Sequence, residues 1–215
     1  RMPPLVGPYS HVGVHQVRVA GGCRAKVFYP ASADGDRPAP YCTDGRATSD
    51  GMAGLVGFRQ VGLSFLLAHL ADAPSGCTLD APPIGDGCPR LIYSHGFGGN
   101  RFNQAWLAVQ LADAGYVVAA TDHPGTSTFD RDPDQAAALW RRPADLSRVI
   151  DHLTGAADLS AMVDPTRIAV IGHSLGGWTS VEIAGGRFDA DAFTRNCAET
   201  TSIACTILAR IGRLS

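Results

Sequence analysis

Apolar residues fall into two rhythms along the chain, and the change between them predicts the fold. Residues 15–19 and 25–29 alternate, with Val17 and Val19 in the first run and Ala25, Val27 and Tyr29 in the second. A period of two marks half-buried strands, and Pro30 ends the second run, so the pair reads as an antiparallel hairpin. Residues 31–50 are rich in Gly, Pro, Asp and Ser and read as a loop. From 51 to 72 the positions Leu55, Phe58, Val61, Leu63, Phe65, Leu66 and Leu70 recur at helical spacing. Gly57 and Gly62 weaken that helix enough to divide it in two. Residues 73–89 again carry Pro and Gly and read as loop.

From residue 90 the rhythm changes. Short apolar runs at 90–94, 116–121 and 167–172 read as strands, and 100–114, 134–153 and 174–184 read as helices, the second with a restart at Pro143. Strand and helix in alternation form a mostly parallel sheet covered on both faces, a three-layer α/β sandwich. The leading hairpin is expected at one edge of it. The tail, 193–215, has two readings: a helical cap or insertion over a site, or a further strand at 203–208.

Composition sets the bounds. With 215 residues, 45% hydrophobic and 18% charged, the chain is expected to be a single domain, residues 1–215. At that size about 70% of the unfolded surface can be buried, so folding needs no staple. A net charge of -2 argues against a nucleic-acid protein relying on a basic face. The longest apolar stretch, 61–71, is interrupted and too short to cross a bilayer, so no transmembrane segment is expected. None of the six cysteines forms a C-x-x-C pair, which argues against zinc or thioredoxin chemistry. Cys42, Cys77 and Cys88 flank a Gly/Pro-rich region, and Cys197 and Cys205 lie near the C-terminus. Disulfides there would suit a secreted or periplasmic protein; buried free thiols are the alternative. Asp130, Asp132 and Asp134 have the look of a metal cluster, but Pro133 and the helix after it favour capping. No metal or cofactor is expected.

One pentapeptide carries chemistry. Gly172-His173-Ser174-Leu175-Gly176 matches G-x-S-x-G, with a strand before it and a helix after it. That context lifts a serine above the carboxyl ends of the strands in a strained turn, at a helix N-terminus that favours developing negative charge. Ser174 is therefore the candidate nucleophile. Upstream, Ser94-His95-Gly96-Phe97-Gly98-Gly99 follows the first parallel strand. Ester cleavage needs two donors aimed at an oxyanion. The backbone N–H groups of Leu175 and Phe97 are the candidates, with Gly96, His95, His173, Gly172 and Gly176 as supporting residues of the site loops.

These motifs resemble the α/β-hydrolase superfamily. More closely, the chain is similar to the branch that holds plasma-type platelet-activating-factor acetylhydrolases and bacterial proteins labelled predicted dienelactone hydrolases. Gly7-Pro8-Tyr9-Ser10 with Val12-Gly13 resembles its opening motif, Ser94-His95-Gly96-Phe97-Gly98 its oxyanion loop, and Asp122-His123-Pro124-Gly125 the loop after the next strand. Dienelactone hydrolases proper use a cysteine nucleophile where this chain has Ser174, which points to ordinary ester hydrolysis. The resemblance implies a serine carboxyl-ester hydrolase working through an acyl-enzyme on short-chain acyl esters or phospholipids. The rival reading is a non-catalytic binding module or a truncated product.

The superfamily orders its triad as Ser, then Asp or Glu, then His. The last histidine here is His173, beside Ser174 itself. The stretch after Ser174 is too short for two further strand–helix–strand steps of about 30 residues each. The expectation is a C-terminally incomplete domain whose base and acid lie outside this chain, with a second chain as one place for them. Glu182, Asp189, Asp191 and Glu199 are left unassigned. His95 is expected to support its loop, and His123 to be a structural hydrogen-bonding residue.

Overall fold

In the computed structural model of the chain, which describes residues 11–42, 44–55, 64–132, 135, 138–155, 157–187, 189–202 and 204–206, the N-terminal hairpin forms as expected. Its strands are β1 (Val12–Arg18) and β2 (Arg24–Pro30). They pair antiparallel from Val12 opposite Pro30 to Arg18 opposite Arg24. Residues 7–10 of the opening motif lie outside the described residues.

The hairpin is not at the edge of the sheet. Two stretches read as loop supply strands beyond it, β3 (Pro38–Pro40) and β4 (Pro74–Leu79). β4 runs parallel to β1, with Gly13 opposite Thr78 and Val14 opposite Leu79, and β3 pairs antiparallel with β4. Pro74 is tolerated because it is the first residue of its strand. Cys77 anchors β4 by burial in a cluster with Val14, Ala39 and Cys42. Helix also begins earlier than expected, at α1 (Gly45–Leu55), and a 3-10 stretch follows at Ser64–Asp72. The described parts of the expected 51–72 helix are thus helical, the first α and the second 3-10; Gly57, Phe58, Val61, Gly62 and Leu63 lie outside the described residues.

The second half alternates as its rhythm predicts: β5 (Cys88–Ser94), α2 (Ala105–Asp113), β6 (Val117–Thr121), α3 (Arg141–Gly155), the short α4 (Ala157–Ser160), β7 (Val163–Gly172), α5 (Leu175–Ile183) and α6 (Ala190–Glu199). Gln135 is helical, Asp134 lies outside the described residues, and after the non-helical 138–140 the helix restarts as α3 at Arg141, near the restart expected at Pro143. Pro143 falls in the first turn, where a missing N–H leaves no hydrogen bond unmade. Residues 204–206 are helical, against the strand reading of 203–208, and the rest of that reading lies outside the described residues.

The sheet order is β3-β4-β1-β2-β6-β5-β7. β2 meets β6 antiparallel, and β5 lies parallel to both β6 and β7. Successive residues face opposite layers. Val27, Ile92 and Ala119 pack with Leu146, Val149 and Leu153 of α3. Phe28, Leu91 and Val118 pack with Ala105, Ala108 and Ala112 of α2. β3 and β7 are the two edge strands among the described residues, and Ile168 on β7 is 41% exposed. Both cysteine readings hold, in different places: Cys197 and Cys205 form a disulfide, while Cys23, Cys42, Cys77 and Cys88 are buried free thiols. No described helix is long and apolar enough to cross a membrane.

Candidate active site

β7 runs directly into a tight turn at Ser174, which has φ 54° and ψ -120°. A side chain at positive φ stores strain of about 1–3 kcal/mol and persists only where its surroundings enforce it. Here Gly176 N–H donates to His173 O at 2.9 Å, Gly177 N–H to Ser174 O at 2.9 Å, and His173 N–H to Ser94 O at 3.1 Å. Two glycines are obligatory for this closure. A Cβ on Gly172 would lie 2.0 Å from Gly176 O, and one on Gly176 would lie 2.0 Å from Ser94 O. Ser174 is exposed, and its hydroxyl makes no hydrogen bond among the described residues. Leu175 opens α5, so its N–H lies outside the helical ladder.

The loop after β5 packs against this turn. A Cβ on Gly96 would lie 3.1 Å from Ser174 Cβ and 3.3 Å from His173 Nδ1, so a bare backbone is what allows the approach. Gly96 O accepts from Gly99 N–H at 3.0 Å and from the His95 ring at Nδ1, 2.6 Å. In a planar trans peptide the carbonyl and the next N–H point in opposite directions. Two donors holding Gly96 O inward therefore turn Phe97 N–H outward, and no acceptor among the described residues takes it. Gly98 N–H donates to Thr126 O at 2.8 Å and Thr128 N–H to Gly99 O at 2.7 Å, which straps the loop to the segment after β6. The fold thus brings Ser174, Leu175, His173, Gly96 and Phe97 together.

The histidines of the two neighbouring loops are committed elsewhere. His95 and His123 are fully buried. His95 Nε2 accepts from His123 N–H at 3.1 Å, which with the Nδ1 bond to Gly96 O fixes one neutral tautomer. His123 lies between Ser94 Oγ, 2.8 Å from Nε2, and Asp145 Oδ2, 3.0 Å from Nδ1. A hydrogen-bonded Ser–His–Asp series therefore exists, but beneath the surface and built on Ser94 rather than Ser174. Burial pushes both imidazoles well below their ordinary pKa, with cationic neighbours adding to the effect.

Arg142 closes this network. Its guanidinium donates to Thr179 Oγ1 at 2.9 Å, Thr126 Oγ1 at 2.6 Å, Ser94 Oγ at 3.2 Å and also His95 O. Burial lowers its pKa to about 10, so it stays cationic at neutral pH. Asp145, which also accepts from Arg148 at 2.9 Å, has its pKa raised by burial. Neither Arg142 nor Asp145 was among the residues singled out from the sequence. The signal was spacing: Arg142 and Asp145 share the buried face of α3 with Leu146, Val149 and Leu153. A second buried pair joins Arg101 to Asp122, whose carboxylate also accepts from Arg101 N–H at 2.7 Å. The aspartates with metal-like spacing instead serve turns: Asp130 accepts from Gly125 N–H at 3.0 Å, and Asp132 from the Gln135 side chain at 3.0 Å. Asp189 caps α6 by accepting from Ala192 N–H at 2.8 Å.

Residues 91–210 match the profile of the alpha/beta hydrolase family, and residues 1–135 that of platelet-activating factor acetylhydrolase, isoform II. The chain is 32% identical over 124 residues to cutinase est1 of Thermobifida alba, a match covering 57% of this chain and 39% of that protein. It is 33% identical over 97 residues to the bis(hydroxyethyl) terephthalate hydrolase of Streptomyces coelicolor, covering 45% and 28% respectively. These matches span well under half the length of the curated relatives. A solved structure of a ferulic acid esterase from Streptomyces cinnamoneus superposes with a TM-score of 0.63 at 24% identity, over 84% of this chain and 58% of the other. That likeness is one of fold.

Proposed function

The chain belongs to the alpha/beta hydrolase family, and from that premise we propose that it is a serine carboxyl-ester hydrolase with Ser174 as its nucleophile. One observation carries the reading: an exposed serine at φ 54° beside two backbone N–H groups, those of Phe97 and Leu175, that no described acceptor uses. Ser174 Oγ attacks the ester carbonyl as a base takes its proton. The carbonyl oxygen becomes an oxyanion, and the two N–H groups stabilise it. The C–O bond then breaks, the alcohol leaves with a proton, and the acyl group remains on Ser174 until water releases it.

The base is neither His95 nor His123, because both ring nitrogens of each already have partners in the core. We place the base and its orienting acid in residues outside these 215. Denaturing intact mass of the native protein, with and without reductant, reads which polypeptide carries them. Residues 193–202 are read as the start of a cap or insertion, a reading supported by the edge-on contact of Phe193 with Trp178, ring centres 5.9 Å apart; most of the rest of 193–215 lies outside the described residues. The substrates proposed are short-chain acyl esters or phospholipids with a short acyl group, the second supported by the acetylhydrolase match over residues 1–135. The cutinase relatives make polyesters the next class to assay.

The test is a fluorophosphonate probe on the full-length protein, with peptide mapping of the adduct. The adduct is expected on Ser174 and absent in Ser174→Ala. An unlabelled full-length protein would leave the non-catalytic binding module as the reading.

A further inference from the structure

Phe97 and Leu175 belong to segments far apart in sequence, so something must set the spacing between their two N–H groups. We propose that Arg142 is the positioning residue that fixes this spacing; the inference rests on the oxyanion-hole reading above. Its guanidinium reaches both segments at once. On one side it donates to His95 O and Ser94 Oγ, at the root of the loop that carries Phe97. On the other it donates to Thr179 Oγ1 at 2.9 Å, and that hydroxyl donates in turn to Leu175 O at 3.1 Å. A third arm, to Thr126 Oγ1 at 2.6 Å, reaches the segment whose carbonyl at Thr126 holds Gly98 N–H. Arg142 is only 2% exposed, so water does not compete for these bonds.

The planar fork suits the task. A guanidinium presents five donors in fixed directions, whereas an ammonium presents a point charge on a flexible stem. Four acceptors on three segments are held by one rigid fork, and all four residues that supply them are buried. Such a residue affects a reaction only through the geometry of others. Oxyanion donors act mainly in the transition state, so loss of their spacing should lower kcat and leave KM nearly unchanged.

The experiment uses Arg142→Lys, which keeps the charge, and Thr179→Val, which cuts only the arm to α5. Each is compared with wild type in full-length protein by short-chain ester kinetics and by amide hydrogen exchange. The expected result for Arg142→Lys is a kcat loss of about 10²-fold, the scale of a 1 Å misplacement, with KM within about twofold. Thr179→Val should lose less, with the same split. The amides of Gly98 and His173, which bridge the same segments, should exchange faster while those of Val27 and Ala119 keep wild-type protection. Wild-type kcat in Arg142→Lys, or wild-type exchange at Gly98 and His173, overturns the proposal. If wild type neither hydrolyses esters nor takes the probe, the Ser174 reading fails, and the exchange result alone decides whether Arg142 fixes the loop.

Discussion

Gly176 and Gly177 are neighbours in one helix, yet alanine at the two positions should have opposite effects. A Cβ on Gly176 would lie 2.0 Å from Ser94 O, 2.6 Å from Ser94 C and 2.8 Å from His95 O. An ordinary carbon–oxygen contact is about 3.3–3.6 Å, so α5 and the end of β5 must part by roughly 1.3 Å. The obstacle is backbone and cannot rotate away. Overpacking of this kind costs about 1–3 kcal/mol or more, and the better helix propensity of alanine returns about 1 kcal/mol. The net expectation for Gly176→Ala is a loss of about 2 kcal/mol, or roughly 4–8 °C in Tm for a chain of this size. A Cβ on Gly177 meets only Gly172 O, at 3.6 Å. Gly177→Ala therefore keeps the propensity gain of about 1 kcal/mol and should raise Tm by roughly 2–4 °C. Thermal and urea unfolding of the two variants beside wild type measure the difference. Equal melting temperatures for the two variants would refute the steric argument.

Two further predictions concern buried charge. Asp122→Asn removes the partner of Arg101, which is 2% exposed; with half-exposed Asp44 at 3.4 Å as a partial substitute, the loss should sit near 3 kcal/mol, the low end for breaking a buried pair. A urea titration showing less than about 1 kcal/mol would mean the pair is already neutral or hydrated. Lys26, fully buried, has its pKa lowered from 10.5 to about 8 by desolvation. Between those values the unfolded chain holds a proton the folded chain has released, so wild-type stability should rise with pH relative to Lys26→Met, by roughly 3 kcal/mol in all. Cys23, pushed up to about 12, acts in the opposite direction but equally in both proteins. A difference between the two that stays flat from pH 7.5 to 10.5 would count against the desolvation account.

Much of the fold was legible because burial writes itself as period. The 116–121 run is apolar on consecutive positions, as a strand covered on both faces must be, whereas the alternating 25–29 run read as half-buried and β2 is buried from Ala25 to Pro30. The elbow was legible because closure at Gly172 and Gly176 leaves no room for a side chain. β4 was not legible. Pro74, Ser75 and Gly76 have poor strand propensity, and the strand exists because β1 offers Thr78 and Leu79 an edge at Gly13 and Val14. With β4 in place, the hairpin moves from the edge to the interior of the sheet. The polar core was hidden for another reason: a charged residue counts as surface until its helical spacing places it among leucines, as Arg142 and Asp145 are placed. Asp122 and His123 were noticed as a motif, but the buried partners that explain them, Arg101 and Asp145, come from other segments.

The neighbours of β2 reach it at very different times during synthesis. β1 is at hand within the hairpin, but the bond from Thr121 to Arg24 O joins residues 97 apart. At roughly 5–20 residues per second, the ribosome needs about 5–20 s to supply β6. For that interval β2 offers an open edge on a nearly apolar run, the kind of strand that pairs with other chains. Lys26, the one charge between Ala25 and Pro30, is still hydrated and fully charged then. A charge in mid-strand opposes edge-to-edge pairing. The sole lysine is thus a burden on the finished sheet and a guard on the nascent one: it is desolvated only once the sheet closes, with its ammonium on Pro40 O and Tyr41 O at 2.9 and 3.0 Å. Lys26→Met should then lower soluble yield from cells even where it leaves the purified protein no less stable.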